Sequence, residues 1–307
     1  MSLVPVNTTD AAEDLIEFTS EQGQRFSTGW SVDETCGRVG IGELALVWAR
    51  SSAGKSTWML NVLANTPAVP TVIFNMEMTA RRQLEWMTSM AYDLEVSARD
   101  MDTALGDASH KQHGEALSAV RDFPRLFPHL YFVSPSRPSV ADLKASVDAI
   151  EAKTGVRPQR VFIDHLTLMD GATSYENVMR MGSALHVWAM EADLAVYCLQ
   201  QTGRGGAGDG QSNDGHIPVS LSSGVFAGEH DADWIFGLFR PDRNPEFRKQ
   251  RYQFKTSEAY EAMLDRKATS QGVTMMQVVK NRPYSDLCLD GIELRYNMHN
   301  RRLIEVL

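Results

Sequence analysis

An apolar run, a loop of small residues closing on Gly-Lys-Ser-Thr, and a helix-like segment follow one another without interruption between Leu44 and Asn65. This order leaves the chain little freedom. Leu44-Ala45-Leu46-Val47-Trp48 reads as a strand, and Trp58 to Asn65 reads as a helix. The residues between them, Ala49-Arg50-Ser51-Ser52-Ala53-Gly54-Lys55-Ser56-Thr57, form a phosphate-binding loop. Small side chains let successive backbone N–H groups converge on phosphate oxygens, and the helix N-terminus behind them adds partial positive charge. Lys55 is placed to reach terminal phosphates and the Ser56 hydroxyl to ligate Mg²⁺. The general pattern for such loops begins with Gly, whereas Ala49 stands here.

Beyond this unit the chain alternates. Further strand-like runs occur at 71–75, 130–133, 161–164, 194–199, 234–239 and 274–279, with helical patterns such as Ala80 to Tyr92 and Val140 to Ala152 between them. The second helix carries Leu143, Val147 and Ile150 on one face, and Gly155 stands as its C-cap. Strands separated by helices predict an α/β fold, a mainly parallel sheet covered on both faces. Residues 1–35 are polar and read as an N-terminal arm or linker, with a weak helical pattern from Asp10 to Glu21. Residues 36–307 read as one domain. Gly203 to Gly215 is too polar and glycine-rich for the core and reads as a mobile loop. Pro241 to Gln271 is a second polar stretch, with a short helix expected near Glu258 to Arg266.

The 307 residues are 43% hydrophobic, enough for one large domain. Cys36, Cys198 and Cys288 are scattered without metal-ligand spacing, which points to a reduced, cytoplasmic setting without structural zinc. No apolar run reaches membrane-spanning length, and no signal pattern opens the chain. A formal net charge of −9 argues against coating nucleic acid by bulk attraction, while leaving room for a nucleic-acid site confined to a few loops or a shared pore.

Arg160-Val161-Phe162-Ile163-Asp164 has the form of a Walker B strand, whose terminal carboxylate holds the magnesium shell. The next residue, a catalytic Glu in many ATPases, is His165. Phe74-Asn75-Met76-Glu77-Met78 supplies a Glu at the end of another strand. The C-terminal ends of parallel strands gather at one edge, so Glu77 is expected to face Asp164 and to orient and deprotonate the attacking water. Leu199-Gln200-Gln201-Thr202-Gly203-Arg204 brings two amides to the same edge, either suited to sensing a γ-phosphate.

In this order the segments resemble the DnaB-type replicative helicase family, over residues 26 to 306. Ala-Arg-x-Ser-x-Gly-Lys-Ser is similar to that family's own phosphate loop, which accounts for Ala49. Ser27 to Asp33 resembles its entry segment. Phe74 to Met78 resembles Phe-Ser-Leu-Glu-Met, whose Glu is the catalytic base. Ile163 to Met169 resembles Ile-Asp-Tyr-Leu-Gln-Leu-Met, with His165 in place of Tyr. Leu199 to Arg204 resembles Leu-Ser-Gln-Leu-Asn-Arg, which selects Gln201 as the sensor. Glu229-His230-Asp231-Ala232-Asp233 resembles Glu-Gln-Asp-Ala-Asp before a core strand. Lys280-Asn281-Arg282 resembles Lys-x-Arg, which reaches the neighbouring subunit's ATP site.

The resemblance implies a RecA-like P-loop NTPase core with a C-terminal antiparallel hairpin. It further implies ATP and Mg²⁺ as cofactors, single-stranded DNA as partner, and a homo-oligomeric, hexameric ring. A guanidinium delivered from outside stabilises charge on the transferring phosphoryl group, so Arg282 and Lys280 are expected to complete a site between subunits. The family's separate N-terminal domain has no counterpart in the sequence. The expected product is therefore a compact phage- or plasmid-like motor core, with a separate primase or loader protein as a further partner. Where the family grips DNA with a basic loop, Ser220-Leu221-Ser222-Ser223-Gly224 has no basic residue. Ser222, Ser223 and Gly224, with Arg204, are the candidate DNA contacts. Two rival readings stand beside this one: a RecA-like recombination or repair ATPase, which would share the sheet, Lys55 and Glu77, and a non-motor regulatory P-loop ATPase ring. An AAA-type loader fits less well, because His165 occupies the place of its usual Glu.

Overall fold

The computed structural model describes residues 25–51, 53–94, 101–172, 174–202, 219, 230–240, 272–297 and 300–306. In chain order these form β1 (Arg25–Phe26), α1 (Val32–Cys36), β2 (Val39–Gly40), β3 (Leu44–Ala49), α2 (Lys55–Asn65), β4 (Thr71–Asn75), α3 (Ala80–Ala91), α4 (Met101–Gly106) and α5 (His113–Leu126). They continue with β5 (Leu130–Val133), α6 (Val140–Thr154), β6 (Arg160–Asp164), α7 (Tyr175–Ala192), β7 (Ala195–Gln201), β8 (Trp234–Phe239), β9 (Gly272–Asn281), β10 (Cys288–Tyr296) and β11 (Leu303–Glu305).

A sheet of 9 strands runs in the order β11-β10-β9-β8-β3-β7-β6-β4-β5. The pairs from β8 to β5 are all parallel, and β9, β10 and β11 continue from β8 as an antiparallel meander. The expected parallel sheet and C-terminal hairpin are both present. Every residue of β3, β4, β6 and β8 is buried, as two-sided burial demands. Side chains alternate between two cores. Ala45, Val47, Ile73, Phe162, Tyr197 and Phe236 pack on one face with Trp58, Leu60 and Leu63 of α2 and Met87 of α3. Leu44, Leu46, Trp48, Phe74, Ile163 and Cys198 pack on the other with Leu143 and Val147 of α6 and Leu185 and Trp188 of α7.

Helix α6 begins with a capping box in which Ser139 and Asp142 bond each other's backbone N–H groups, and it ends at Gly155 with φ 72°. Residues 25–36 are built into the main core through Phe26, Trp30, Val32 and Cys36. Asp33 organises the entry segment: its carboxylate accepts from Ser27 Oγ, Thr28 N, Thr28 Oγ1 and Gly29 N. Gly29 has φ +86° and a Cβ there would lie 2.5 Å from Asn65, so only glycine fits. Ser31 N then donates to Glu305 Oε2 at 2.8 Å, tying this segment to β11. The expected helices at 10–21 and 258–266 and the glycine-rich loop at 203–215 lie outside the described residues.

Candidate nucleotide site

Strand β3 delivers the phosphate loop to the C-terminal edge of the sheet. There Ala49 sits level with Gln201 of β7, and Asn75 of β4 sits level with Asp164 of β6. Ala53 N bonds Arg50 O at 3.1 Å, and Trp58 N bonds Gly54 O at 2.8 Å, so the loop closes as a turn and opens α2. Gly54 caps that helix with φ 100° and ψ 22°, a left-handed conformation without cost to glycine alone. Lys55 Nζ lies 3.4 Å from the Ala49 carbonyl and 3.5 Å from that of Arg50, folded back over the loop. Burial lowers its pKa, against the opposing pull of Asp164 and Glu77. Ser51, Gly54, Lys55, Ser56 and Thr57 line the cleft in front of the loop, whereas Ala49 and Ala53 are fully buried behind it. Ser52 lies outside the described residues.

Asp164 is the buried centre of the site. Its Oδ2 accepts from Ser56 Oγ at 2.7 Å and from Asn75 Nδ2 at 3.2 Å. Its Oδ1 is buried with no hydrogen-bond partner among the described residues. A carboxylate oxygen left bare in the interior is costly. Burial is the main reason the Asp164 carboxyl is pushed above the usual carboxylate range, with Ser56 pulling against that shift. An orphaned anionic oxygen beside a serine hydroxyl is a donor set that fits Mg²⁺, a hard cation that prefers oxygen and keeps few protein ligands when phosphates supply the rest.

Glu77 follows β4 on a turn held by Asn75, whose Oδ1 accepts from Glu77 N at 2.9 Å and from Met78 N at 2.7 Å. Sequence reasoning missed Asn75, although it stands inside the quoted segment. It links the two carboxylates, bonding Asp164 with one end of its amide and the Glu77 turn with the other. The peptide between Asp164 and His165 is cis. His165 Nε2 lies 3.0 Å from Glu77 Oε1, and its Nδ1 lies 2.8 Å from Thr167 Oγ1. The two candidate amides separate cleanly. Gln200 turns into the core, where its Oε1 accepts from Trp48 Nε1 at 2.8 Å, whereas Gln201 lines the cleft.

The cleft has a volume of about 850 Å³, and its far wall was not anticipated. Trp86, Arg240, Thr274, Tyr296, Arg301 and Leu303 complete it. The Arg301 guanidinium lies 3.7 Å from the centroid of the Trp86 ring, a close cation–π stack. Five of these residues come from α3, the C-terminal meander and its turns, elements far from the phosphate loop in sequence.

Lys280 and Arg282 are not brought to this cleft. Strand β9 starts beside it, with Thr274 in its lining, and runs antiparallel to β8, so Asn281 pairs with Trp234 at the opposite edge of the sheet. Eight residues of extended chain separate Thr274 from Arg282, roughly 25 Å. Arg282 Nη1 contacts Asp233 Oδ1 at 3.3 Å, and its Nη2 donates to the His230 carbonyl at 2.7 Å, with about half of the side chain exposed. Asp233 also accepts from Leu44 N at 2.9 Å and pairs with His186 Nε2 at 3.2 Å. The acidic motif before β8 thus anchors both the central strand and the basic turn. Of the candidate DNA contacts, Arg204, Ser222, Ser223 and Gly224 lie outside the described residues. Val219, just before that loop, is held by Gln277 of β9, whose Oε1 accepts from Val219 N at 3.0 Å.

The sequence pattern of the DnaB-like helicase C-terminal domain family matches residues 27–285. The replicative DNA helicase DnaB of Treponema pallidum (strain Nichols) is 26% identical over 224 residues, which are 70% of this chain and 47% of the relative. The replicative DNA helicase DnaB of Nostoc sp. is 23% identical over 168 residues, 53% of this chain and 18% of the relative. The chain thus spans about half the length, or less, of these curated relatives. Among solved structures, the ATPase domain of G40P superposes with a TM-score of 0.74 at 17% identity, covering 99% of this chain and 100% of that one. A DnaB-like replicative helicase, described with its interactions with primase, superposes with a TM-score of 0.73 at 16% identity, covering 99% of this chain and 68% of that one. At such identities these likenesses establish the fold.

Proposed function

Because the chain belongs to the family of DnaB-like helicase C-terminal domains, we propose that it is an ATP-hydrolysing motor that moves along single-stranded DNA in replication. The observation that supports this reading is the placement of the proposed site residues at two edges of the sheet. Lys55, Ser56, Asp164, Glu77 and Gln201 meet at one edge, and Arg282 sits at the other. Arg282 cannot reach the cleft of its own chain, which agrees with a ring in which it serves a neighbour's. The reading therefore includes a closed homo-oligomer, with a hexamer as the expected form. The ATPase domain of this reading includes the packed residues from Arg25 onward. Its setting is the cytoplasm of a bacterial or phage-infected cell, and no helix among the described residues is long and apolar enough to cross a membrane.

In this mechanism the loop amides from Ser51 to Thr57 and the Lys55 ammonium bind the β- and γ-phosphates. Ser56 and Asp164 would hold Mg²⁺, which would supply neutralising charge when bound. Glu77 orients a water in line with the γ-phosphate and takes its proton. Gln201 donates to the γ-phosphate or the water and so registers hydrolysis. Arg282 and Lys280 of one subunit stabilise the equatorial oxygens in the next. The Arg301–Trp86 stack and Tyr296 offer flat surfaces against which a nucleobase packs. Arg204 and the Ser222-Ser223-Gly224 loop remain the proposed DNA contacts, and a primase or loader remains a proposed partner.

ATP hydrolysis measured with and without single-stranded DNA, alongside mass in solution, tests the reading. Strong stimulation in a closed oligomer supports the motor. Hydrolysis indifferent to any nucleic acid favours a regulatory ring, and strand exchange without unwinding favours a recombination ATPase.

A further inference from the structure

Building on the reading of Glu77 as the base, we propose that His165 is a positioning residue that aims the Glu77 carboxylate. It does so as a buried ring held in place by Thr167. The family pattern places tyrosine here, so the arrangement belongs to this chain's own sequence.

Glu77 stands on a turn beyond the end of β4, and its side chain is 47% exposed. A half-exposed glutamate at a strand end samples several rotamers, and a base that must address a water in line with a phosphoryl group cannot do so productively from most of them. His165 is the opposite case: its side chain is 7% exposed and its ring is gripped from both sides. Nε2 lies 3.0 Å from Glu77 Oε1 and Nδ1 lies 2.8 Å from Thr167 Oγ1. The Thr167 hydroxyl can donate or accept, so it fixes the place of the ring rather than its proton. Without it the buried ring loses one of its two polar contacts and with it the aim at Glu77. The contact engages one oxygen of Glu77, directing the group without consuming its capacity to take a proton.

The experiment measures kcat and KM for ATP hydrolysis by the full chain as wild type, H165A, H165Q, T167V and E77Q. Affinity for a non-hydrolysable ATP analogue and the melting temperature are measured alongside. Loss of this aiming contact is expected to lower kcat in H165A by about tenfold, with analogue affinity unchanged. H165Q, whose amide nitrogen reaches the place of Nε2, should recover most of that loss. T167V, which keeps the imidazole, should also slow kcat without weakening the analogue. An undiminished kcat in H165A or in T167V would overturn the proposal, as would an H165Q no faster than H165A. If H165A melts too low to assay, T167V alone decides between a positioning role and none. E77Q separates the base from its positioning partner. Wild-type turnover by E77Q removes the base assignment itself, whereas a dead E77Q with an unaffected T167V removes only the role of His165.

Discussion

At the residue scale, the site holds two groups, Asp164 and Lys55, whose charged forms burial disfavours. Asp164 is fully buried, one of its oxygens has no partner among the described residues, and burial raises its pKa. A group whose folded pKa lies above its unfolded value stabilises the fold while it is protonated. That contribution is complete below the unfolded pKa and is lost as pH rises through the raised folded value. Nucleotide-free protein should therefore lose stability across that window. D164N should flatten the loss and raise the melting temperature at neutral pH by a few degrees while abolishing hydrolysis. Thermal melts of both proteins across pH check this; a lower melting temperature for D164N would contradict it. Lys55 has the same character, since burial disfavours its charged form, and K55A should abolish nucleotide-dependent activity without unfolding the chain. Calorimetric titration with an ATP analogue, read beside a melt, distinguishes lost binding from lost fold.

Much at this scale was legible in advance, because strand-end residues in a parallel sheet have one place to go. Lys55, Ser56, Glu77 and Asp164 needed only their positions around apolar runs, whereas the family resemblance alone singles out Gln201 over Gln200. The choice of Gln201 over Gln200 has a plain cause, since side-chain alternation sends one amide to Trp48 and the other to the cleft. Asn75 and Thr167 were not legible. Each acts through a side chain–side chain bond to a residue on another segment or turn, and no periodicity reports such a bond.

At the element scale, the seven strand-like runs of the sequence are seven strands of the sheet, because β-strands buried on both faces write themselves as continuous apolar runs. The helices were harder. Helix α7 spans Tyr175–Ala192 yet mixes buried Val178, Leu185 and Trp188 with exposed Tyr175, Val187 and Met190, which blurs its stripe. Helix α5 contains Pro124 in its last turn, a residue that ordinarily signals a break. The far wall of the cleft was equally hidden, because β10, β11 and their turns meet the phosphate loop only through sheet order. Strand β9 is the element that joins the parts. It contributes Thr274 to the cleft, carries Lys280 and Arg282 to the other edge, and midway holds Val219 through Gln277. The same Gln277 amide donates to the Leu289 carbonyl across the hairpin. Gln277→Leu would leave the buried Val219 N–H unpaired, a cost of about 1–3 kcal/mol. A chemical-denaturation curve should show a midpoint shifted down at constant slope, and an unchanged midpoint would contradict the anchoring role.

At the scale of the whole molecule, the proposed ring would bring together two parts that one chain holds apart. The cleft and the basic turn lie on opposite edges of one rigid sheet. Flexing side chains cannot close a gap of roughly 25 Å, so in the proposed ring Arg282 would serve a neighbouring copy's cleft rather than its own. Sequence order alone holds no hint of this separation, since Lys280 and Arg282 sit on an antiparallel strand whose direction reverses which edge they reach.

Whether two copies share each site can be read from a mixture of two inactive variants. E77Q lacks the base but keeps the basic turn, and R282A lacks the guanidinium but keeps the base. Each alone is expected to hydrolyse almost no ATP. Co-assembled from denaturant-free mixed stocks, the two should regain hydrolysis, because some interfaces then join an intact Glu77 to an intact Arg282. Robust turnover by R282A alone, or mixed oligomers of confirmed composition that stay silent, would contradict a site shared between copies.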